Sequence, residues 1–463
     1  MSQETARRAT LVAGSAVVIG ILAGSRWFTH IGVAPLYIAD FLLGCAILNY
    51  VLQQPARRGA PLVEVAGVRQ TRFPTALLGW LVAWAALRGL FAFQPGYVVD
   101  WARDLAPYLY PVAGYLGARS YSVASEHVRQ RTAAAFTVAL SIHLAWCSVA
   151  VATNNIAGIA VGRPFNANVF QVRHDFDGVL IAILVGLCTR AIIAGRRRGL
   201  AFIGVLIGTP TVLMMASRAA FLALLFAMFV GAILSLSASR GLTRDKLLLL
   251  AVLPFVAAAV VGLALTTTPG QRLLATVNPE WAASAEQRNA LGTMGARQEA
   301  WSLIAHWVSL DPWRVLFGSG FGNDFLDQSG SLGILQGTDY DGVRSPHNYL
   351  VGSYARIGIL GLLLITVLVA IVLFRIARLR RAIGNDDLLS FCALAIVATL
   401  PASMVGVVLE APFGAILFFW AAGVLTSVRP AVDRVHAEAK HFRKRNQAPS
   451  PRSSFRRLAT NSR

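Results

Sequence analysis

Long apolar runs recur along almost the whole of this chain, and they constrain its fold more than any other feature. A helix that spans a bilayer needs about 20 largely apolar residues. The composition agrees, because 56% of the residues are hydrophobic and 14% are charged, whereas about a quarter of a soluble domain is charged. The sequence therefore predicts an all-α polytopic membrane protein.

Twelve apolar segments are candidates for membrane helices. The fourth of them is interrupted by Pro107 and Pro111, so its pattern is less regular than the others. The twelve segments lie at 9–25, 32–52, 73–93, 101–118, 133–153, 177–195, 199–215, 219–239, 247–266, 348–374, 388–408 and 412–427.

The arginines and lysines test this count, because cytoplasmic loops of membrane proteins carry an excess of both. With a cytoplasmic N-terminus, 30 of the 42 Lys and Arg fall on the cytoplasmic side. This alternation places both termini in the cytoplasm. The first run, preceded by Arg7 and Arg8, also resembles a cleaved signal peptide. An uncleaved first helix preserves the alternation, and we favour it.

The alternation divides the chain into four parts. Residues 1–266 hold helices one to nine, 267–346 form an extracytoplasmic loop domain, 347–428 hold helices ten to twelve, and 429–463 form a basic cytoplasmic tail. The tail is rich in Ser and Pro and is predicted to be disordered. Within the loop domain, "ARQEAWSLIAHWVSL" (296–310) has the apolar spacing of an amphipathic helix. The net charge of +20 thus reflects topology and not nucleic-acid binding.

His347 lies where the loop domain meets the tenth apolar segment. Ser345 is predicted to cap the helix and Pro346 to be its first residue, which places His347 in the first turn. The positive end of the helix dipole disfavours imidazolium there. A histidine that stays neutral can accept a proton as a general base. A lone histidine is more often structural, and His143 and His306 are interpreted in that way.

Arg218 is predicted to lie in the first turn of the eighth segment, after a Ser217 cap. A cation at a helix N-terminus is unfavourable, so an anion bound by the guanidinium and the free N–H groups would compensate. The alternative is an arginine that extends to the membrane interface. The alternation places Arg218 on the extracytoplasmic side together with Arg163, Arg173, the loop domain and His347.

Metal chemistry has little support in the sequence. The four cysteines lie inside apolar runs and show no zinc-binding spacing. On the outer side, paired acids occur at 175–177 ("DFD") and 339–341 ("DYD"). We interpret them as polar loops, with acceptor-sugar binding or a divalent ion as the alternative. "GSGFGN" (318–323) does not follow a predicted strand, so it is interpreted as a turn and not as a nucleotide-binding loop.

Four motifs resemble the bacterial O-antigen ligase and polymerase superfamily. "SPHNYLVGSYARIGILGL" (345–362) resembles its His-Asn motif, and "ASRAAFLALL" (216–225) resembles its Ser-Arg-Gly/Ala helix start. "ARQEAW" (296–301) resembles its Arg-x-x-x-Trp segment, and "VLFGSGFGNDF" (315–325) resembles its Gly-x-Gly stretch. The motifs occur in the family's order. Many members carry an acidic residue at the position of Arg356, so no ion pair or proton relay of that residue can be carried over.

The resemblance implies a GT-C-like fold of about twelve helices and a glycosyltransferase that uses no metal and no cofactor. Such enzymes move a glycan from undecaprenyl diphosphate to an acceptor hydroxyl in the periplasm. By position, His347 is the expected general base, and Arg218 and Arg297 are the expected clamp on the diphosphate. The expected substrate contacts are Arg163, Arg173, Arg88, Arg356, Asn348 and Trp301. Trp301 is expected to act on the amphipathic segment as part of a lid.

Several functions remain open on the sequence alone. We favour a ligase that transfers glycan to lipid A core, because the loop before the sixth helix is short and polymerases are often described with two large outer loops. A repeat-unit polymerase and transfer to a protein hydroxyl are the alternatives within the family. A transporter or lipid flippase is the alternative from another class. It requires ionisable groups within the membrane, and Arg88, Asp104 and Glu410 keep it open.

Overall fold

A computed structural model describes most of the chain. The described residues are 3–33, 36–52, 72–93, 95–162, 164–165, 167–238, 285–335 and 344–428, with 262, 266 and 271 as isolated positions. Arg163, the "DYD" stretch and the tail beyond residue 428 lie outside them, as does nearly all of the ninth predicted segment.

Helices account for nearly all of the regular structure in the described residues. Two strands of two residues, β1 (Gly32–Val33) and β2 (Leu36–Tyr37), pair antiparallel between the first two helices. Short 3₁₀ turns cover Pro95–Tyr97 and Val408–Glu410. The helices are α1 Gln3–Thr29, α2 Ile38–Leu52, α3 Arg72–Phe91, α4 Val98–Leu109, α5 Val112–Val123, α6 Glu126–Ala152, α7 His174–Ala194, α8 Arg198–Met214, α9 Arg218–Ala238, α10 Ala285–Ser309, α11 Pro312–Phe317, α12 Phe325–Gln328, α13 Leu332–Leu335, α14 Tyr349–Arg378, α15 Arg380–Gly384, α16 Asp387–Ser403 and α17 Pro412–Ser427.

Five of the described helices are long and apolar enough to cross a membrane, namely α3, α6, α7, α9 and α14. Shorter apolar helices, including α8, α16 and α17, accompany them. An all-α polytopic membrane protein is thereby supported, and the total of twelve spans stays a prediction. The fourth predicted segment differs, because it forms two helices that meet at Tyr110. Pro111 follows directly and lacks the N–H that would continue the first helix.

Small residues allow the central helices to pack closely. α7 and α9 run parallel, with Gly178 against Ala220 and Gly186 against Gly231. A Cβ atom on Gly231 would overlap the Gly186 carbonyl oxygen. Such contacts suit membrane helices, whose association depends on close packing. The parallel arrangement places the first residues of α7 and α9 at the same end of the bundle, as the predicted alternation requires.

The two ends of the bundle differ in their charged residues. The end that contains His347, together with the first residues of α7 and α9, is called the His347 end below. At the opposite end, Asp387 pairs with Arg190 at 2.7 Å and with Arg196 at 3.1 Å. These arginines belong to the set predicted to face the cytoplasm, so the structure separates them from the outer set.

A break in α14 joins the loop domain to the bundle. Gly358 has a φ of 67° and a ψ of −174°, so the backbone departs from helical geometry there. The carbonyls just before the break are bonded from outside the helix. Ser319 N donates to the Ala355 oxygen (2.7 Å), Gly320 N to the Arg356 oxygen (3.0 Å) and Trp84 Nε1 to the Ile357 oxygen (3.0 Å). The "GSGFGN" stretch is therefore a structural turn that docks on α14.

Replacing Gly358 by alanine is expected to destabilise the protein. A Cβ atom at this position would overlap the Leu316 carbonyl oxygen, and the positive φ adds strain. A strained backbone of this kind costs about 1–3 kcal/mol. We expect a lower melting temperature in detergent for Gly358→Ala. Gly44→Ala is the matched control, because Gly44 lies in a helix with no atom within 4 Å of the position that a Cβ would take; equal melting temperatures for the two variants would contradict this account.

Candidate functional site

His347 lies just before α14 and not in its first turn. Asn348 is the N-cap, and its side-chain oxygen accepts from the N–H groups of Leu350 (3.0 Å) and Val351 (3.2 Å). The predicted Ser345 cap is thus wrong. The Ser345 hydroxyl instead accepts from the N–H of His347 (3.1 Å). His347 itself has a φ of 55°, a conformation that few residues other than glycine adopt.

The His347 ring is enclosed and oriented by its own loop. Its exposed fraction is 8%, and Nδ1 lies 3.2 Å from the Ser345 carbonyl oxygen. A carbonyl can only accept, so Nδ1 carries the proton and Nε2 carries the lone pair. Burial, followed by the positive charge of Arg297, lowers the pKa of His347 to about 4. The ring is therefore neutral at pH 7, as predicted, but the cause is burial and a nearby arginine.

Arg297 approaches His347 from the loop domain. It lies on α10, and its Nη1 atom donates to the Val405 carbonyl oxygen at 3.0 Å. Val405 belongs to the segment between α16 and α17, called the 404–411 loop below. Because Arg297 lowers the pKa of His347, the two side chains are close enough for charge to act between them. The structure therefore brings two of the three expected catalytic residues together.

α10 is amphipathic and packs over the first part of α14. Ile304 and Val308 are fully buried against Phe325 and Ala355. Trp301 donates from Nε1 to the Pro346 carbonyl oxygen at 2.7 Å. This bond ties α10 to the residue before His347. Trp301 thus positions the loop in this structure, and its expected role in substrate binding stays a prediction.

Arg173 and Asp175 stand beside His347 at the start of α7. Their side chains pair at 3.1 Å, and both act on the pKa of His347, with Asp175 raising it and Arg173 lowering it. Asp175 also lies against Gly406 in the 404–411 loop. The "DFD" acids therefore differ in their surroundings, because Asp175 is partly exposed at the site whereas Asp177 is fully buried.

Arg26 is a site residue that was not predicted from the sequence. It lies near the end of α1 and is close enough to Arg173, Asp175 and Asp177 to interact with their charges. In the sequence, Arg26 lies between the first and second predicted segments, on the side that carries His347, and this position could have identified it. A single arginine in a short loop has an ordinary explanation in interface anchoring, so no sequence pattern singled it out.

Arg218 opens α9 at the same end. The Ser217 hydroxyl accepts from the Ala220 N–H at 3.3 Å, which confirms the predicted cap. Gly178 of α7 packs directly on Ala220, so the starts of the two helices are neighbours. Arg218 is partly exposed, and it shares this end with Arg173.

Arg88 and Arg356 are held by protein groups. Arg88 Nη2 donates to the Gly318 carbonyl oxygen at 3.0 Å. Arg356 is 4% exposed; its Nη1 lies 2.5 Å from Asp104 Oδ2, and its Nη2 donates to the Arg344 carbonyl oxygen at 3.0 Å. These contacts hold the loop domain against the bundle. Arg356 therefore has an acidic partner of its own, which the sequence did not predict.

Arg344 completes this network, and its role was not predicted from the sequence either. Its guanidinium lies 3.1 Å from Asp104 and 3.6 Å from both Asp100 and Asp324. It also donates to the carbonyl oxygens of Gly322 and Asn323. Three residues before His347, the chain is thus fixed to α4 and to the docked turn.

Glu410 approaches the other side of the His347 loop. Burial raises the pKa of its carboxyl group to about 7, against a hydrogen bond from Ser345 that lowers it. Ser345 in turn contacts both the backbone and the ring of His347. Arg88, Asp104 and Glu410 are the three groups that kept a transporter open. All three contact elements of the His347 end.

A sequence model of the family described as O-antigen ligase matches residues 203–366. The matched segment begins in α8 and ends within α14, and it includes Arg218, Arg297 and His347. A comparison with curated proteins finds no match. The family match supports the resemblance to the O-antigen ligase and polymerase superfamily. Its members are glycosyltransferase-like enzymes that act on lipid-linked glycans.

Replacing Asp104 by asparagine is expected to lower stability strongly. The Asp104 side chain is 3% exposed and faces both Arg344 and Arg356. Removing one partner of a buried ion pair costs about 3–5 kcal/mol. Asp100→Asn is the control, because Asp100 is more exposed and lies farther from Arg344, where an exposed pair contributes about 1 kcal/mol or less. Thermal unfolding in detergent measures both, and similar melting temperatures would contradict this assignment.

Proposed function

We propose that this chain is a membrane glycosyltransferase that moves a glycan from undecaprenyl diphosphate to an acceptor hydroxyl. We place the reaction at the periplasmic face of the bacterial inner membrane, and we favour lipid A core as the acceptor, as in an O-antigen ligase. The observation that carries this proposal is a buried, neutral histidine surrounded by arginines from separate segments. Glycan transfer from a lipid diphosphate needs a base and a cationic clamp, and this arrangement supplies both.

In the proposed reaction, His347 is the general base. Its Nδ1 proton is directed at the Ser345 carbonyl, so in this proposal the Nε2 lone pair accepts the proton of the acceptor hydroxyl. The hydroxyl oxygen forms a bond to the anomeric carbon of the donor sugar. The bond between that carbon and the diphosphate oxygen breaks, and its electron pair leaves with undecaprenyl diphosphate.

Arginines stabilise the charge that develops on the departing diphosphate. Arg297 on α10 and Arg173 at the start of α7 are close enough to His347 to lower its pKa. Arg218 begins α9, whose first turn packs on the start of α7. Guanidinium groups bind phosphate oxygens in pairs, and preorganised cations favour a transition state that gains negative charge. In this proposal they provide that stabilisation without a metal ion or cofactor. Arg163 is proposed as a further phosphate or sugar contact.

The same arginines also adjust the base. In the free protein, Arg297 contributes to the low pKa of His347, and a base with a pKa near 4 accepts a proton weakly at neutral pH. A bound diphosphate offsets this positive charge and so raises the pKa of His347. Donor binding therefore strengthens the base at the moment when a proton must be accepted.

The remaining expected residues take supporting roles in this proposal. Asn348 caps α14 and fixes the residue next to the base. Trp301 donates a hydrogen bond to the Pro346 carbonyl, and Glu410 accepts one from the Ser345 side chain. Arg88 and Arg356 keep the docked turn in place, and we assign them no direct contact with substrate.

The acceptor separates the remaining alternatives. α6 ends at Ala152 and α7 begins at His174, so the connection between them is short and favours the ligase. A polymerase would join repeat units with the same base and clamp. Transfer to a protein hydroxyl would use them as well.

Deletion of the chromosomal copy is expected to remove the long-chain polysaccharide ladder and to cause lipid-linked glycan to accumulate. Wild type should restore the ladder, whereas His347→Ala, Arg218→Ala and Arg297→Ala should not, because the base or the clamp is missing. His306→Ala is the matched histidine control, since His306 is exposed on α10. The measurement is a gel of envelope polysaccharide at matched protein levels.

The outcomes separate the alternatives. Single-repeat glycan that still reaches lipid A core in the deletion strain would identify a polymerase. Full restoration by His347→Ala and Arg218→Ala would contradict the assigned catalytic residues. An unchanged ladder in the deletion strain would contradict the proposed function in this polysaccharide pathway.

The pH dependence of purified enzyme tests the link between Arg297 and His347. Activity is lost as pH falls through the pKa of the base, because imidazolium cannot accept a proton. We expect kcat/KM, which reports the free enzyme, to fall near pH 4. We expect kcat, which reports the donor complex, to fall at a higher pH. In Arg297→Gln, the pH at which kcat/KM falls should be higher than in wild type. If kcat and kcat/KM fall at the same pH, and if that pH is unchanged in Arg297→Gln, the proposed coupling is refuted.

A further inference from the structure

A cluster of three metal-binding residue types lies inside the bundle, apart from the proposed base His347 and next to the backbone of Arg173. His143 and Cys147 are one turn apart on α6, and Asp177 faces them from α7. All three are fully buried. The Cys147 sulfur lies 3.4 Å from His143 Nε2, which lies 3.7 Å from Asp177 Oδ1. Among the residues that the structure describes, this is the one such group with its ligand atoms within 4.8 Å of one another.

The His143 ring has different surroundings at its two nitrogens. Nε2 lies towards the Cys147 sulfur and the Asp177 carboxylate. Nδ1 is buried and makes no hydrogen bond of normal geometry, and a backbone group of Ala23 is close enough to interact with the ring. A histidine that binds a metal ion through one nitrogen usually donates the other N–H to a carbonyl or a carboxylate. Nε2 is therefore the candidate ligand atom.

Ser25 supplies a further oxygen to the cluster from α1. Its hydroxyl donates to Asp177 Oδ1, and the residue is fully buried. Ser25 has a φ of 50° and a ψ of −130° within a helical segment. Backbone outliers of this kind are often found at functional sites. The chain thus departs from helical geometry at the residue that reaches Asp177.

We propose that His143, Cys147 and Asp177 bind one Zn²⁺ ion, with Ser25 or a water molecule as the fourth ligand. Zinc takes histidine nitrogen at about 2.0–2.1 Å and thiolate sulfur at about 2.3 Å, so the edges of its tetrahedron are about 3.3–3.8 Å. The two measured separations fall in this range. The charges also balance, because a thiolate and a carboxylate neutralise Zn²⁺ while the imidazole stays neutral. A neutral set is the least costly form in a low-dielectric bundle.

Zinc binding at this position would be structural. The ligand set is closed to solvent, and binding releases the thiol proton to form the thiolate ligand. The ion would join α6 to the first turn of α7. Asp177 also accepts from the Arg173 N–H at 2.6 Å, so the ion would fix the backbone that carries Arg173.

Metal content tests the proposal directly on the full chain. Protein purified in detergent is stripped with a chelator, incubated with ZnSO₄, desalted and measured by mass spectrometry. We expect one zinc per chain for wild type and a loss of at least tenfold for Cys147→Ser and for His143→Gln. Cys392→Ser is the matched control, because Cys392 is a fully buried cysteine on another helix, and it should retain the metal.

Two further measurements keep the test decisive if a variant fails to fold. Asp177→Asn preserves size, and its amide can still accept from the Arg173 N–H while its NH2 group donates to the Ser25 hydroxyl. This variant should be folded with weakened zinc binding. Co²⁺ in place of zinc should give a thiolate-to-metal absorption band in wild type and Cys392→Ser but not in Cys147→Ser. Folded wild type with no zinc and no cobalt band would overturn the proposal, as would equal binding by Cys147→Ser.

Discussion

The break in α14 joins the loop domain to the bundle, because the carbonyl groups just before it accept hydrogen bonds from outside the helix. A helix that ends in an apolar surrounding leaves its last carbonyl groups without partners, and each unsatisfied group is costly. Here the docked turn of residues 318–320 and the indole of Trp84 bond those groups. The loop domain is therefore joined to the bundle by backbone hydrogen bonds that neither part can satisfy alone. His347 lies at the start of the same helix, so its position depends on this junction.

The arginines on the two sides of the junction differ in their acidic partners. Arg344 and Arg356 are neutralised by Asp104 and its neighbours, and they hold the loop domain in place. Arg173 pairs with Asp175. Burial lowers the pKa of His347, and the charges of Arg297 and Arg173 lower it further. In the proposed reaction, a base in these surroundings accepts a proton more readily once an anion is bound, so the proposed site would respond to the charge of its ligand.

The sequence predicts much of this arrangement because membrane helices obey simple rules. Apolar length and arginine placement predicted the helical class, and the separation of the arginines into two groups follows from the same alternation. His347 and Arg297 were selected through a family resemblance, and the structure brings them together. The twelve spans, the orientation in the membrane and the site roles stay predictions.

Other features depended on contacts between distant segments. The predicted Ser345 cap was wrong because Ser345 and Asn348 can both cap a helix. Asn348 is the cap, since its side-chain oxygen accepts from the N–H groups of Leu350 and Val351. The partner of Arg356 lies on α4, more than two hundred positions away in the sequence, and no local pattern reveals a pairing that helix packing sets.

The glycines of α7 have a consequence for the geometry of the cations. Arg173 and Arg218 stand at the starts of different helices. Their separation follows from how closely α7 and α9 approach, which Gly178 and Gly186 permit by contributing no side chain. A single methyl group at either position would wedge the helices apart and widen the span between the guanidinium groups. In the proposed function, the spacing that these two guanidinium groups offer to a diphosphate therefore depends on two glycines that do not contact it.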